Sequence, residues 1–221
     1  MHYIEIRDVD FEYEKGKSVF QNLSLNIDKN ETIALMGPNG SGKTTLGKLM
    51  AGILKPTKGQ VNVFSRDTRD IPLHEIGLRI GYLFQNPEKQ FFANTVYDEL
   101  GFVMKIKGYD EEYIKEKVEE KLEFFQLKGL VNHSPFLLSQ GEKQRLAIAA
   151  VLMNEPEYLI LDEPTTGLDK KRKDMLLNLL FMLKNQGIGM TIISHDRRFV
   201  ERICSRFIYI SRGEIQYDER A

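Results

Sequence analysis

The sequence contains a single cysteine, Cys204, and no tryptophan. One cysteine cannot form a disulfide within the chain, so a disulfide-rich secreted scaffold is excluded and a reducing compartment fits. Neither sign of charge dominates, because 31 Lys and Arg residues stand against 32 Asp and Glu residues, for a formal net charge of -1. Nucleic-acid-binding proteins usually carry a basic excess, and we therefore expect no nucleic-acid partner.

Long apolar runs are also missing. No stretch reaches the roughly 18 apolar residues that indicate a membrane span. The N-terminal residues MHYIEIRDVDFEY lack the basic and then apolar order of a signal peptide. We therefore expect that any work at a membrane depends on a membrane-embedded partner. The 221 residues suffice for one large domain with a buried core.

Strand and helix patterns alternate at both ends of the chain, and the middle is mostly helical. Apolar residues at 4, 6, 9, 11 and 13 have the strand period of two, with one slip. Strands are predicted at 3–13, 24–27, 31–37, 60–64, 79–85, 157–163 and 189–195, with a hairpin at 206–219. Helices are predicted from residue 43 to Pro56 and at 94–131, 141–153 and 170–186. This order predicts a single α/β domain, with a core at 1–85 and 155–221 and a helical subdomain at 86–154.

The stretch GPNGSGKTT, residues 37–45, matches the nucleotide-loop pattern G-x-x-x-x-G-K-[ST] between a predicted strand and a predicted helix. Its glycines let backbone N–H groups surround a β-phosphate, and the helix N-terminus attracts negative charge. Lys43 is expected to reach the β- and γ-phosphates, Thr44 to ligate Mg²⁺, and Thr45 to bond the α-phosphate. The strand–loop–helix setting disfavours an ordinary Gly-rich turn. The predicted nucleotide-binding residues are Gly37, Asn39, Gly40, Ser41, Gly42, Lys43, Thr44 and Thr45.

Two later strands end in groups that can act on a phosphate. The stretch YLILDE ends in Asp162, which can hold Mg²⁺ through water, and Glu163, which can orient or deprotonate an attacking water. The stretch TIISH ends at His195, which can bond a γ-phosphate. An apolar strand ending in Asp-Glu is common, and a lone histidine can be an ordinary surface residue. The nucleotide loop upstream is what favours the catalytic interpretation.

A second anion-binding turn is predicted in LLSQGEKQRLAIAAVL, residues 137–152. Ser139 and Gly141 stand where a helix begins, so free N–H groups and the helix dipole point outward. Two interpretations remain open, a simple N-cap or a grip on a γ-phosphate. The chain's own nucleotide already lies in the first loop, so the second interpretation places this turn against a nucleotide held by another subunit.

These motifs, in this order, resemble the ATP-binding cassette (ABC) family of ATPases over essentially the whole chain. GPNGSGKTT resembles the Walker A loop, LILDE the Walker B strand, LSQGE the signature motif LSGGQ, and TTGLD the D-loop. The resemblance implies an α/β P-loop NTPase core with an antiparallel β subdomain and a helical subdomain. It also implies ATP hydrolysis with ATP and Mg²⁺ as cofactors.

The resemblance assigns further residues. It implies Gln85 as the Q-loop residue that serves the metal and catalysis, Asp169 as a nucleotide-site residue of the D-loop, and His195 as the switch histidine. Tyr13 falls where the family places an aromatic that stacks on adenine, with local packing in its strand as the alternative. The signature departs from its common form at Gln140 and Glu142. A glutamate beside a triphosphate is unfavourable unless it points away or meets a basic group such as Lys143 or Arg145.

A narrower resemblance lies in FQNPEKQFFANTVYDELGF, residues 84–102, which is similar to the ATPase components of energy-coupling-factor (ECF) transporters. These import vitamins or cobalt and nickel ions. The resemblance implies a second ATPase subunit, identical or paralogous, an integral membrane coupling subunit and a substrate-binding membrane subunit, at the cytoplasmic face of the cell membrane. Phe91, Phe92 and Tyr97 are candidates for contact with coupling helices, and packing against the helical subdomain is the alternative for each.

Two other functions compete with transport. A soluble ABC ATPase of DNA repair or translation would bring a long coiled-coil insertion or two cassettes in one chain, and neither is visible in the sequence. A small-molecule kinase would not need the signature, the D-loop and His195 together. We therefore favour a transport ATPase.

Overall fold

The computed structural model describes residues 2–220 and contains two sheets with helices packed around them. The strands are β1 (Ile4–Glu12), β2 (Ser18–Ile27), β3 (Thr32–Met36), β4 (Lys58–Val63), β5 (Arg66–Asp67), β6 (Ile80–Leu83), β7 (Tyr158–Asp162), β8 (Gly189–Ile193), β9 (Arg206–Ser211) and β10 (Glu214–Arg220). The α-helices are α1 (Lys43–Met50), α2 (Leu73–Gly77), α3 (Val96–Ile106), α4 (Glu111–Phe124), α5 (Gln140–Leu152), α6 (Lys170–Asn185) and α7 (Arg197–Val200). Short 3₁₀ helices cover Thr68–Asp70, Pro87–Gln90, Lys128–Leu130 and Pro135–Leu137.

The larger sheet forms the core, with strand order β10-β9-β3-β8-β7-β6. Strands β9, β3, β8, β7 and β6 pair in parallel, and β10 returns antiparallel to β9 through the predicted hairpin. Every residue of β7 and β8 is buried, as their continuous apolar sequences indicate for strands covered on both faces. The carboxyl ends of β3, β7 and β8 therefore open at one edge of this sheet.

The smaller sheet is antiparallel, with order β2-β1-β4-β5. In β1 the apolar residues at 4, 6, 9 and 11 are buried, as the alternation predicts. They belong to a hydrophobic cluster that the smaller sheet forms with α1 and one face of the larger sheet. The slip in that alternation is a register shift between Ile6 and Val9, where Asp8 has a φ of 48°. The predicted antiparallel β subdomain is confirmed. Strand β2 begins at Ser18, six residues before the predicted start, since its exposed polar positions hide the pattern.

The middle of the chain folds into α3, α4 and α5, within the segment predicted as a helical subdomain at 86–154, whose boundaries stay a prediction. One continuous helical region was expected at 94–131. The structure instead ends α3 at Ile106, and Gly108, with a φ of 79°, precedes Asp110, the N-cap of α4. The apolar stripe of α4 is buried as its spacing predicts.

Other boundaries also differ from the sequence prediction. Helix α1 ends at Met50 rather than near Pro56, because the chain turns at Gly52 with a φ of 66°. The short helices α2 and α7 were not predicted, since four or five residues carry too little periodicity. Between residues 2 and 220, no helix has the length and apolar character that crossing a bilayer requires.

Glu157, just before β7, ties three parts of the fold together. Its Oε1 accepts from Arg79 Nε at 2.7 Å, and its Oε2 accepts from Lys29 Nζ at 2.7 Å. The Arg79 guanidinium also lies 3.6 Å from the ring centre of Phe64, in the turn between β4 and β5 of the smaller sheet. The hydrogen bonds from Arg79 lower the pKa of Glu157 to about 2, although partial burial opposes the shift.

This pair predicts an acid-dependent loss of stability. A carboxyl whose folded pKa lies below its unfolded value of 4.5 stabilises the fold above pH 4.5 and loses that effect as the pH falls toward 2. Because Glu157 is about one third exposed, solvent screening reduces its contribution to about 1–2 kcal/mol. We expect Glu157→Gln to lower the free energy of unfolding by that amount at pH 7 and to match the wild type near pH 2. Urea titrations between pH 2 and pH 7 measure the free energy of unfolding, and Glu119→Gln, at an exposed position of α4, serves as the control. A constant difference at every pH would contradict the prediction.

Candidate functional site

A cleft of about 430 Å³ opens at the carboxyl ends of β3, β7 and β8. Its lining residues are Tyr13, Val19, Asn39, Gly40, Gly42, Lys43, Thr44, Thr45, Gln85, Asp162, Glu163, Ile193 and His195. The structure therefore brings together most of the residues predicted from the first loop, the two strand ends and the Q-loop. Gly37 and Ser41 belong to the same loop without lining the cleft. Ser139, Gly141 and Asp169 do not line it.

The loop at 37–42 depends on its glycines. Gly37 has a φ of 140°, and a Cβ there would lie 2.0 Å from the carbonyl oxygen of Ile210. Gly42 has a φ of 104°, and a Cβ there would lie 2.6 Å from the Phe20 ring. Helix α1 starts directly after it with no acidic side chain in its first turn. The loop and the α1 N-terminus thus present N–H groups and positive potential to an anion.

Lys43 extends back over this loop. Its Nζ donates to the carbonyl oxygens of Gly37 and Pro38, both at 2.9 Å. Burial lowers the pKa of Lys43, and the charges of Glu163 and Asp162 oppose that shift. The ammonium is therefore held within the cleft between loop and carboxylates, where phosphate oxygens could replace its carbonyl partners.

Asp162, at the end of β7, is buried, and its Oδ1 has no hydrogen-bond partner among the described residues. Its Oδ2 accepts from the Tyr82 hydroxyl at 3.4 Å. Burial raises the pKa of Asp162, and the nearby hydroxyls of Thr44 and Tyr82 lower it. A buried oxygen without a donor, beside the Thr44 hydroxyl, fits a Mg²⁺ ion, which prefers few protein oxygens and completes its shell with phosphate and water. Within residues 2–220 no group of three His, Cys, Asp or Glu side chains could hold a metal by itself.

Glu163 occupies a strained backbone position, with a φ of 51°. Its N–H donates to the Ile193 carbonyl at 2.8 Å, which fixes the turn after β7 against β8. Its Oε1 lies 3.4 Å from His195 Nε2, and its Oε2 is 3.4 Å from the His195 N–H. Burial raises the pKa of Glu163, and the neighbouring His195 lowers it. A carboxylate and an imidazole thus face each other at the cleft.

Tyr13 stands at the edge of the cleft with 58% of its surface exposed. Its hydroxyl lies 3.1 Å from Thr45 Oγ1, and its ring packs edge to face on Phe11 at 4.9 Å. More than half of the Tyr13 surface is therefore available to a planar ligand while Phe11 packs against the ring. Local packing and stacking on a base, the two interpretations drawn from the sequence, are compatible.

The second turn lies outside this cleft. Ser139 caps α5, and both its N–H and its hydroxyl donate to Glu142 Oε2, at 2.8 and 2.6 Å. Glu142 therefore does not pair with Lys143, which instead forms an ion pair with Glu88. A Cβ on Gly141 would lie 3.9 Å from the Nη1 atoms of both Arg145 and Arg172.

Two neighbours complete this region. The Gln140 side chain packs beside Gly167, whose Cβ position would be 3.1 Å from Gln140 Cγ. Asp169 caps α6 by accepting from the Arg172 N–H at 2.8 Å, and its side chain is exposed. The D-loop and the second turn therefore lie side by side, and Ser139, Gly141 and Asp169 are not among the residues that line the chain's own cleft.

Sequence reasoning missed Val19, Tyr82 and Ile193. Val19 and Ile193 form apolar walls of the cleft. Tyr82 reaches Asp162 from β6 while its ring packs on Phe84 at 4.9 Å. A tyrosine in an otherwise apolar strand is a signal that could have been noticed, but its partner depends on the pairing of β6 with β7.

Comparison with known proteins identifies the family. Residues 20–166 match the ABC transporter family, and the match includes the nucleotide loop, the second turn and the strand ending in Asp162 and Glu163. The chain belongs to this family. It is an ABC-type ATPase subunit of a transporter.

Individual relatives of this ABC cassette agree with the assignment. A putative ABC transporter ATP-binding protein of Pyrococcus furiosus is 44% identical over 97% of this chain and 82% of its own length. The energy-coupling factor transporter ATP-binding protein EcfA of Methanothermobacter thermautotrophicus is 37% identical over 96% of this chain and 69% of its own length. The solved dimeric ATP-binding cassette MJ0796, in a post-hydrolysis state with ADP and phosphate, has a TM-score of 0.90 and 29% identity, covering 98% of both chains.

The loop geometry of this cassette predicts different effects at two glycines. We expect Gly37→Ala to lower the free energy of unfolding by about 2–5 kcal/mol, because its Cβ would overlap the Ile210 carbonyl in addition to the backbone strain. Gly40 also has a positive φ, 77°, but a Cβ there meets nothing within 4 Å. Gly40→Ala should therefore cost only about 1–2 kcal/mol. Urea unfolding without nucleotide measures both, and equal losses would contradict this account of Gly37.

Proposed function

We propose that this cassette binds ATP with Mg²⁺, dimerises around the nucleotide, and powers import of a micronutrient, a vitamin or a metal ion, through the membrane partner of an ECF-type transporter. The observation that carries the proposal is the separation of the two anion-binding turns. The first turn lines the cleft with Lys43, Asp162 and Glu163, whereas Ser139 and Gly141 lie outside it. A second cassette is therefore needed to bring a signature turn over each nucleotide, and the related cassette MJ0796 is dimeric.

The chemistry proposed for the cleft follows from its contacts. Lys43 would exchange its two carbonyl partners for β- and γ-phosphate oxygens. Thr44, Asp162 and Gln85 would hold Mg²⁺, which would neutralise charge on the phosphate oxygens during transfer. Tyr13 would stack on the adenine, and the loop residues from Gly37 to Thr45 would surround the phosphates.

Glu163 and His195 are proposed to direct the attacking water. Glu163 is mostly buried, so its carboxylate is held in one place, and His195 lies 3.4 Å away. Glu163 would orient or deprotonate the water, and His195 would bond the γ-phosphate at the far side of the reacting centre. Ser139, Gly141 and Asp169 would approach the partner cassette's ATP at closure. Loss of the shared γ-phosphate would then let the dimer open.

An apolar groove of about 400 Å³ supports the proposed membrane partner. It lies between the core and the helical region, and its apolar lining includes Ile53, Leu73, Phe84, Phe92, Val103 and Val151. Glu99 is buried beside it, and its Oε2 accepts from the N–H groups of Phe92 and Ala93 at 3.1 and 2.9 Å. This holds the exposed Phe92 ring against Phe102, 4.2 Å away, at the groove. The groove fits an amphipathic coupling helix of a membrane subunit.

The three aromatics that the sequence singled out separate in the structure. Phe91 is 7% exposed and packs edge to face on Phe136, so its packing interpretation holds and its partner-contact interpretation is wrong. Tyr97 is half-buried beneath Lys105 and lines a different depression between α3 and α4. Phe92, with 55% of its surface exposed, remains the candidate for partner contact.

The ECF type of transporter is proposed on two supports, the likeness of residues 84–102 to that group and the 37% identity to EcfA. It places the cassette at the cytoplasmic face of the membrane, with a coupling subunit, a substrate-binding subunit and a second ATPase subunit. We expect no nucleic-acid partner. The soluble ABC ATPase of DNA repair or translation, the alternative drawn from the sequence, is disfavoured because the chain matches the ABC transporter family and the apolar groove has no evident use in it.

The first test concerns Glu163. We expect Glu163→Gln to bind ATP normally and to hydrolyse it at least about 100-fold more slowly, because the water loses its orienting carboxylate. The variant should accumulate as an ATP-bound dimer in gel filtration. Glu119→Gln, on the surface of α4, serves as the control and should keep the wild-type rate. A wild-type rate for Glu163→Gln would remove Glu163 from the proposed role.

The second test uses the adjacent phenylalanines. Phe91→Ala should lower the free energy of unfolding by about 3–5 kcal/mol, because it opens a cavity in the core. Phe92→Ala should change that free energy by less than about 1 kcal/mol, since the ring is half exposed. Phe92→Ala should also retain several-fold less of a co-expressed membrane coupling protein during co-purification. Undiminished retention by Phe92→Ala would count against the groove as the partner site.

A further inference from the structure

In the signature turn, residues 139–142, the polar groups of Ser139 form hydrogen bonds within the turn itself. Ser139 donates both its N–H and its hydroxyl to a single oxygen, Oε2 of Glu142, at 2.8 and 2.6 Å. This arrangement is a capping box at the start of α5. A short hydrogen bond from a hydroxyl to an ionised carboxylate is among the stronger hydrogen bonds of a protein surface.

The hydroxyl of Ser139 has one hydrogen to donate. That hydrogen is committed to Glu142, so a phosphate that approaches the turn meets an oxygen that is already acting as a donor elsewhere. The Ser139 N–H is committed to the same acceptor. The donors left at the turn are N–H groups of the first α5 residues, which have no partner within the helix.

The surroundings keep Glu142 ionised. Hydrogen bonds from Ser139 are the main cause that lowers the pKa of Glu142, with smaller contributions from Arg145 and Arg172. Both arginines lie close to Gly141 but are already engaged, Arg172 with Asp169 and Arg145 with the Phe125 carbonyl. Lys143, the adjacent base, pairs with Glu88. The turn therefore combines phosphate donors with a negative charge that the two arginines attract from a distance, and neither arginine forms an ion pair with Glu142.

We propose that Glu142 is a positioning residue that competes with the partner cassette's γ-phosphate for Ser139, so that the signature turn must release this carboxylate before the dimer closes. The inference rests on the proposed dimer, in which Ser139 meets the nucleotide of the partner. The competition raises the ATP concentration that closure requires. A glutamine at position 142 keeps the capping geometry and removes the charge.

The test measures ATP-dependent dimer formation in full-length chains that carry Glu163→Gln to slow turnover. Adding Glu142→Gln should lower the ATP concentration for half-maximal dimerisation by about fivefold or more, because a neutral amide oxygen holds the Ser139 hydroxyl more weakly than a carboxylate and leaves no like charge beside the γ-phosphate. High salt should reduce that advantage, since the Debye length falls to about 3 Å at 1 M. Thermal melts without nucleotide should differ little between the two chains, which separates the effect from a structural one.

Two further variants make the result decisive. In a Ser139→Ala chain, which has no hydroxyl to compete for, the advantage of Glu142→Gln should shrink. The inference would be overturned if Glu142→Gln lowered the required ATP concentration equally in the Ser139→Ala chain, or if it did not lower that concentration in the parent chain. Gly141→Asp places a carboxylate on the face that meets the phosphate and should abolish dimer formation. If Gly141→Asp dimerised like its parent, the trans arrangement itself would fail, whereas a block by Gly141→Asp without any gain from Glu142→Gln would overturn the role of Glu142 alone.

Discussion

The candidate nucleotide-binding cleft depends on the register of three parallel strands, β3, β8 and β7. Leu35 pairs with Ile193, and Ile193 pairs with Asp162, so the three strands end at the same level of the sheet. The N–H of Glu163 then donates to the Ile193 carbonyl, and the side chain of Glu163 lines the cleft beside that of Asp162. A shift of one residue in either pairing would move the Walker A loop, the carboxylates or His195 out of reach of one another, since side chains alternate between faces along a strand.

This register explains why the sequence predicts the core of the site well. Buried parallel strands are visible as continuous apolar runs, and parallel strands in one sheet end at a common edge, so Lys43, Asp162 and His195 could be placed together before any coordinates. The bond from Tyr82 to Asp162 could not, because it depends on the neighbour that β6 acquires in the sheet. The helical region was predicted less well. The break at Gly108 and the opposite environments of Phe91 and Phe92 depend on tertiary packing that two adjacent identical residues cannot reveal.

The signature turn shows a different limit of sequence reasoning. The signature LSQGE ends in Glu142, whereas the common form LSGGQ ends in glutamine. Lys143 and Arg145 are the nearest basic residues in sequence, and they were the expected partners of this glutamate. In the structure Glu142 accepts hydrogen bonds from Ser139, and Lys143 forms an ion pair with Glu88. A capping box needs only a serine and a glutamate three residues apart, whereas the pair of Lys143 with Glu88 joins segments 55 residues apart. Local hydrogen bonding therefore took precedence over ion pairing.

The pairing of Lys143 with Glu88 has a consequence for how this cassette could be recombined with its relatives. Gln90 joins the same connection, since its amide donates to the Ala147 carbonyl of α5 at 3.3 Å and its Oε1 accepts from the Phe84 N–H at 3.2 Å. The segment after Gln85 and helix α5 are therefore coupled through these side-chain contacts despite their separation in the chain. A chimera that exchanged α5 for a helix without a lysine at position 143 would leave Glu88 without its partner, whereas the bond from Gln90 to a main-chain carbonyl would remain.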